Sequence, residues 1–239
     1  MLKADLHIHT KGDPQDLFLR YTAQDIIKAA AKQKFDVLAI TWHNKICSTK
    51  PLQSYAKKHG VFLLEGTEAT IDGKHTLLYN ITNEEMQKVK THQDLYDLKD
   101  HILVGAPHPF FILPVCLGST VTEHKKLFDF IEHSHFYTER FNLNKKAVAK
   151  AKDQNIPVVA NSDAHHLRLF GKDYSLLDCN PTKDAILDTL KKKAVGKNKT
   201  KVQAQTRPYK MTEFVKNGLR FVPGGVIRLI TGDKEFESG

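Results

Sequence analysis

The sequence predicts an α/β protein whose sheet is mainly parallel and is either open or closed into a barrel. Two observations predict this fold class. Short apolar runs alternate along most of the chain with amphipathic stretches that carry helix-capping residues. The length of 239 residues is enough for one large domain, or one domain with an appendage, around a substantial core.

Taken in order, seven stretches have the apolar or alternating pattern of β-strands. They are KADLHIH, DVLAIT, VFLLEGTEAT, HTLLYNI, ILVGAPHP, FIEHSH and IPVVANSDAH. The third and fourth strands are joined by IDGK, in which Asp72 and Gly73 are typical of a hairpin turn.

Six stretches between and after these strands have the pattern of helices. They are TAQDIIKAAAKQKF, PLQSYAKKHG, NEEMQKVKTHQDLYDLKDH, VTEHKKLFDF, NKKAVAKAKDQN and TKDAILDTLKKK. The first begins with Thr22 and Asp25 in the spacing of a capping box, and the second is closed by Gly60.

Composition excludes several classes of protein. No apolar run reaches the ~20 residues of a membrane span, and the N-terminus lacks the basic and apolar regions of a signal peptide. Cys47, Cys116 and Cys179 are widely spaced and odd in number, which argues against a disulfide framework. We therefore expect a protein of the reducing cytoplasm that does not contact a membrane.

The positive charge is concentrated near the C-terminus. The net charge is +9, and residues 191–220 carry ten Lys or Arg residues against one acid, Glu213. We expect a domain over residues 1–190, followed by a basic extension over residues 191–239 that could pack on it. Residues 191–220 would attract a polyanion such as nucleic acid, although a solvated basic linker has the same composition.

Most of the predicted strands place a metal-ligand residue type at or near one end. These residues are His7, His9, His43, Glu68, His75, His108, Asp163 and His165. Side chains two apart on a strand point the same way, so His7 and His9 can bind one ion, as can Asp163 and His165. The carboxyl ends of parallel strands also share one rim. One HxH pair is often incidental, but the joint occurrence predicts a site for Zn, Mn or Fe.

These motifs resemble those of the PHP family, named for polymerase and histidinol phosphatase. The stretches that carry the resemblance are DLHIHT, AITWHN, GAPHP and NSDAH, with GTEAT and HTLLYN between the second and third. They span roughly residues 3–190 in the expected order. The resemblance implies a distorted seven-stranded (β/α) barrel that holds two or three divalent metal ions and cleaves phosphoesters.

The resemblance also implies three groups of metal ligands. The groups are His7, His9, Glu68 and Asp163; Glu68, His75 and His108; and His43, His165 and an early acidic residue. Many relatives carry that acid at the position that is Pro14 here. Asp13 is the first choice, because the loop is short and Asp13 lies closer to His9, and Asp16 is the alternative.

The implied reaction is attack on a phosphoester by a hydroxide that bridges the ions beside Glu68, with Asp163 as the second catalytic carboxylate. FIEHSH carries a second HxH pair, His133 and His135, and one of the two, with His135 as the first choice, would protonate the leaving group or contact the phosphate. Arg20 and Arg168 would bind the phosphate, because they follow the first loop and the SDAHH stretch. The other cationic candidates are Lys11, Lys45 and Arg140.

Three functions agree with these features. The compact size and complete ligand set favour hydrolysis of a small phosphomonoester or nucleotide. The basic segment at residues 191–220 motivates a nuclease that trims short oligonucleotides, through contacts with phosphates. The third function is a non-catalytic metal-binding module, against which the intact ligand set argues.

Overall fold

The computed structural model describes residues 1–191 and 201–218. The chain forms two compact units. The first unit contains Met1–His135 and Leu143–Arg207, and the second contains Phe136–Asn142 and the chain from Pro208 onward. In the described part of the chain, no helix is both long and apolar enough to cross a membrane.

The first unit is built on one mixed sheet, to which the described residues contribute nine strands. The strands are β1 (Leu2–Ile8), β2 (Val37–Ile40), β3 (Phe62–Ile71), β4 (Lys74–Tyr79), β5 (Leu103–Ala106), β6 (Phe130–His133), β7 (Val158–Ala160), β8 (Tyr174–Leu177) and β9 (Val202–Gln205). Their order across the sheet is β7-β6-β5-β4-β3-β2-β1-β8-β9.

The sheet curls until it is nearly closed into a barrel. The hydroxyl of Ser175 on β8 accepts a bond from the amide of Ala160 on β7 and donates to its carbonyl, each at 2.9 Å. An isolated parallel bridge also joins Ile8, at the end of β1, to Ala164 beyond β7. The end of β7 thus lies beside the end of β1, so distant parts of the chain meet at one rim.

Strand number and direction differ from the predicted mainly parallel, seven-stranded arrangement. The pairs β1–β2, β2–β3, β5–β6 and β6–β7 are parallel, but β3–β4, β4–β5, β1–β8 and β8–β9 are antiparallel. One cause is the predicted hairpin, which is confirmed: Asp72 and Gly73 have φ of 49° and 71° between β3 and β4. The other cause is that β8 and β9 extend the sheet beyond β1 and pair in the antiparallel direction.

The helices largely confirm the amphipathic pattern, but the helix predicted over residues 121–130 is wrong beyond Glu123, where the chain turns before β6 begins at Phe130. They are α1 (Ala23–Lys32), α2 (Lys50–Lys58), α3 (Asn83–Lys88), α4 (Thr120–Glu123), α5 (Asn144–Gln154), α6 (Lys183–Lys191) and α7 (Met211–Gly218). Thr22 and Asp25 form the predicted capping box at the start of α1. The predicted long helix over residues 83–101 is wrong between α3 and Asp94, and only a short 3₁₀ helix, Asp94–Leu98, follows. Val89 is extended, and the His92 ring turns inward to bond Asp72 and Thr76.

Apolar side chains fill both sides of the curved sheet. One core cluster includes Leu78, Val104 and Ile131, and another includes Leu6, Leu77 and Phe130. Their packing leaves no room beside Gly105, where an added Cβ would lie 2.2 Å from the Phe130 ring. The backbones of β5 and β6 therefore hold a fixed spacing just below the rim that carries the candidate ligands.

In the second unit, the ring of Phe136 stacks on that of Phe214 in α7, with centroids 4.3 Å apart. The amide of Tyr209 donates to the carbonyl of Tyr137 at 2.8 Å.

The predicted domain boundary at residue 190 stays a prediction, but β9 belongs to the sheet of the first unit, so that sheet extends past residue 190. Residues 192–200, which carry much of the basic segment, lie outside the described residues.

Candidate metal centre

The candidate ligands lie on strands or immediately after them, which brings them to one rim. His7 lies on β1, Glu68 on β3 and His75 on β4. The remaining candidates follow strand ends: His9 follows β1, His43 follows β2, His108 follows β5, and Asp163 and His165 follow β7. An isolated parallel bridge between His43 and Glu68 extends the pairing of β2 with β3 to the rim.

Glu68 lies at the centre of this group and is 1% exposed. Its two carboxylate oxygens face five different imidazole rings. Oε2 lies 3.3 Å from His7 Nε2, 3.3 Å from His9 Nε2 and 3.2 Å from His43 Nε2. Oε1 lies 2.9 Å from His75 Nδ1 and 3.4 Å from His108 Nε2. One carboxylate thus connects the ring nitrogens of the predicted first and second ligand groups.

Asp163 lies near three of the same ring nitrogens. Its Oδ1 lies 3.4 Å from His9 Nε2 and 3.5 Å from His7 Nε2, and its Oδ2 lies 4.0 Å from His108 Nε2. Asp163 and His108 both have positive φ, 44° and 28°. Such values are uncommon for residues other than glycine and cluster at functional sites. The backbone is therefore strained at two of the positions that aim side chains into this group.

Asp13 and Asp16 lie at different places beside this group of ligands. Asp13 is fully buried; its Oδ2 lies 2.8 Å from His9 Nδ1, and its Oδ1 lies 3.0 Å from His43 Nδ1. It also accepts the amides of His43 and Gln15. Asp16 Oδ2 is buried, lies 3.0 Å from His165 Nε2, and makes no hydrogen bond in the described structure.

A second layer of acceptors lies behind several of the rings. The Nδ1 atoms of His7, His9 and His108 face Glu132 (3.0 Å), Asp13 (2.8 Å) and Cys116 Sγ (3.3 Å), respectively. Glu132 was not predicted from the sequence, in which the histidines of FIEHSH are the residues typical of a metal or phosphate site. The available signal was register: Glu132 lies two residues after Phe130, and so on the same inward face of β6.

Charge in the centre is balanced within histidine–carboxylate pairs. Burial by itself lowers the pKa of His7, but Glu132, Asp163 and Glu68 outweigh it and raise that pKa to about 10. Burial likewise raises the pKa of Glu68, but His7 and His75 outweigh it and hold that pKa well below its usual range. Within the described residues, the ion pairs of Asp13, Asp16, Glu68, Glu132 and Asp163 are all with histidine.

This donor set fits divalent metal ions. Several buried carboxylates require compensating positive charge, and among the described residues their ion-pair partners are imidazoles, which supply that charge when protonated. Metal ions would replace those protons and leave neutral imidazoles as ligands. Four overlapping groups have ligand atoms within 4.8 Å of one another. They are His9, Asp13, Asp16 and His43; His7, His108 and Glu132; His7, His9 and Asp163; and His43, Glu68 and His75.

Three further predicted site residues, His135, Arg20 and Arg168, are outside these four groups. His135 is buried, with Nδ1 4.0 Å from Asp163 Oδ2, and burial lowers its pKa to about 4. Arg20 is exposed on the loop that follows Asp16, and Arg168 is exposed in the 3₁₀ helix Leu167–Leu169 that follows His165. Their contact with a phosphate group stays a prediction.

A family model described as PHP-associated matches residues 142–195. The uncharacterised protein MJ1587 of Methanocaldococcus jannaschii is 33% identical over 130 residues, which are 50% of this chain and 75% of that protein.

Two solved structures share the fold at low sequence identity. PsfC from Pseudomonas syringae aligns with a TM-score of 0.58 and 13% identity, over 92% of this chain and 97% of its own. A Bifidobacterium adolescentis protein assigned as a metal-dependent phosphoesterase aligns with a TM-score of 0.51 and 14% identity, over 68% of this chain and 87% of its own. At these identities the likeness shows the fold.

Proposed function

Because the chain belongs to the PHP family, whose metal-dependent hydrolases act at centres of this kind, we propose that it is a metal-dependent phosphoesterase acting on a small phosphomonoester or nucleotide. The observation that carries the proposal is the position of Glu68. Its carboxylate faces five imidazole nitrogens within 3.4 Å, next to a second carboxylate from Asp163. An acid placed between so many imidazoles is suited to bridge two ions.

Two groups of ligands share Glu68 in this proposal. His7, His9, Glu68 and Asp163 would hold one ion, and Glu68, His75 and His108 would hold a second. The mixture of imidazole and carboxylate supports Mn, Zn or Fe rather than Ca or Mg.

The third group would contain His43, His165 and an acid. Loop length favours Asp13, but the contacts support Asp16. The oxygens of Asp13 already accept bonds from two imidazoles and two backbone amides, whereas Asp16 Oδ2 is buried, makes no hydrogen bond in the described structure and lies beside His165 Nε2. We therefore propose Asp16 as the ligand and Asp13 as the residue that orients His9 and His43.

When bound, divalent ions would lower the pKa of a water molecule and neutralise charge on the phosphoryl oxygens. The chain's own residues then have distinct tasks. Glu68 and Asp163 hold their negative charge because the histidines around them lower the pKa of both carboxyls. The lowered pKa of His135 keeps its imidazole neutral near pH 7, which supports a hydrogen bond to phosphate rather than protonation of the leaving group.

Arg20 and Arg168 are the proposed phosphate-binding cations at the exposed edge of the centre. Each lies three or four residues after a candidate ligand, Arg20 after Asp16 and Arg168 after His165. A guanidinium suits this task because it presents a planar pair of donors to two phosphate oxygens.

A cytoplasmic location is also proposed, supported by three free cysteines, Cys47, Cys116 and Cys179.

The proposal is tested by hydrolysis assays on protein loaded with Mn, Zn or Fe. The panel comprises p-nitrophenyl phosphate, its bis-ester, nucleoside bisphosphates, histidinol phosphate and a short oligonucleotide. Release of phosphate from a small ester supports the proposal. Full metal content without activity on any of these substrates would support the non-catalytic module instead.

Cleavage of the oligonucleotide in preference to the small esters would favour the nuclease. In that case, changing Lys192, Lys193, Lys197 and Lys199 to Gln should weaken binding and reduce its salt dependence. The matched control changes four exposed lysines of α1 and α2, namely Lys28, Lys32, Lys57 and Lys58. Substitution is preferable to deletion from residue 191, because deletion would also remove β9 from the sheet.

A further inference from the structure

We propose that Glu132 is a positioning residue that sets the tautomer of His7 and so directs its Nε2 lone pair into the metal centre. The inference rests on the proposed function, because it takes His7 as a ligand through Nε2. Glu132 lies outside the ligand set predicted from the sequence. It is 1% exposed and lies on β6, which does not pair with β1.

The two ring nitrogens of His7 face different surroundings. Nδ1 lies 3.0 Å and 3.2 Å from the two carboxylate oxygens of Glu132. Nε2 points the other way and lies 3.3 Å from Glu68 Oε2 and 3.5 Å from Asp163 Oδ1. A carboxylate only accepts hydrogen bonds, so it holds the single proton of a neutral imidazole on Nδ1. The lone pair then lies on Nε2, on the side of Glu68 and Asp163.

Glu132 is itself held by donors from two other strand ends. Asn161 Nδ2 donates to its Oε1 at 2.7 Å, and the backbone amide of His108 donates to its Oε2 at 3.0 Å. Asn161 is fixed in turn, because its Oδ1 accepts the amide of Leu6 at 2.9 Å. The carboxylate therefore joins β1, the end of β5 and the end of β7, and it has little freedom to turn toward an ion.

These contacts assign Glu132 a positioning role rather than a place among the ligands. Each of its oxygens already accepts a bond from a neutral donor in addition to the bond from His7. By contrast, Asp16 Oδ2 makes no hydrogen bond in the described structure. The negative charge of Glu132 also makes the His7 ring more basic, which strengthens Nε2 as a metal ligand.

The test compares wild-type protein with Glu132→Gln, each loaded with zinc. Two quantities are measured: zinc affinity, by competition with a chelator, and the Nδ1–H resonance of His7, by proton–nitrogen NMR with assignment from His7→Gln. We expect affinity to fall about 10–100-fold, and the Nδ1–H resonance to shift upfield or to be lost through exchange. A purely structural role would not move that resonance.

Asp72→Asn is the matched control. Asp72 Oδ2 lies 2.9 Å from His92 Nδ1, so it is another carboxylate paired with a histidine, but that histidine is not a candidate ligand. The control should leave zinc affinity and the His7 resonance unchanged. If Glu132→Gln does not fold, Glu132→Asp retains the charge but withdraws it from Nδ1, and it should lower zinc affinity as well.

Unchanged affinity and an unchanged His7 resonance in the Glu132 variants would overturn the inference. Loss of one ion with an unchanged His7 resonance would also overturn it, because Glu132 would then be a ligand. Wild-type protein that binds no divalent metal would refute the proposed function instead, so the two failures are distinguishable.

Discussion

The Oδ2 atom of Asp16 lies 3.0 Å from Nε2 of His165, although one residue precedes the first helix and the other follows the seventh strand. The near closure of the barrel produces this contact, because it returns the end of β7 to the end of β1. Asp13, three residues earlier, instead contacts His9 and His43. Two neighbouring acids therefore have separable tasks.

The first prediction concerns Asp13 and Asp16. Asp16→Ala should reduce the number of bound ions by one, because it removes a ligand. Asp13→Ala should retain the full number at saturating metal but bind it about 10–100-fold more weakly, because His9 and His43 lose their orienting carboxylate. Metal analysis after dialysis measures the number, and chelator competition measures the affinity. Asp153→Ala, at an exposed site, is the control; the reverse pattern would make Asp13 the ligand.

The second prediction concerns Glu68. Glu68→Gln should reduce the content of more than one ion and lower hydrolytic activity by about 10²–10³-fold or more, because it removes a charge that faces five imidazoles. Circular dichroism should show that the fold is retained. Metal content equal to that of wild type would contradict the bridging role.

The third prediction concerns the pH dependence of the chelator-treated protein. His7 and His43 have their pKa raised from 6.5 to about 10 and about 9, by carboxylates that outweigh burial. A raised histidine pKa stabilises the folded state below pH 6.5, and that contribution is lost as pH rises through the folded pKa. The free energy of unfolding should therefore fall between pH 6.5 and 9.

Denaturant unfolding at pH 6.5 and pH 9 measures this fall. His7→Gln and His43→Gln should each flatten the dependence, and added zinc should also reduce it, because the ion replaces the protons. On the acid side, the lowered pKa of Glu68 contributes stability above pH 4.5 that is lost as the pH falls further. Equal stability of the metal-free protein at pH 6.5 and pH 9 would refute the prediction.

The fourth prediction concerns the contact between β5 and β6. Gly105→Ala should destabilise the protein by about 1–3 kcal/mol, because its methyl group would overlap the Phe130 ring. Urea unfolding measures the change. Combining it with Phe130→Leu, which shortens the facing side chain, should recover part of the loss; strictly additive effects would show that the two residues are not coupled.

Local signals predicted much of the fold. The capping box at Thr22 and the Asp72-Gly73 turn depend on residues three or fewer apart, and both form as predicted. Strands β8 and β9 were missed because their sequences, YSLL and VQAQ, are short and only partly apolar. They are stabilised by pairing with β1 and with each other, which no local pattern records.

The sequence by itself determined which residue types could bind metal, since histidines and acids recur at strand ends and the side chains of an HxH pair point the same way. Only the tertiary structure decided which atoms face one another. Glu132 meets His7, and Asp16 meets His165, because the sheet curls until its ends approach. Such contacts depend on strand order and on the separation between strands, which are properties of the whole sheet.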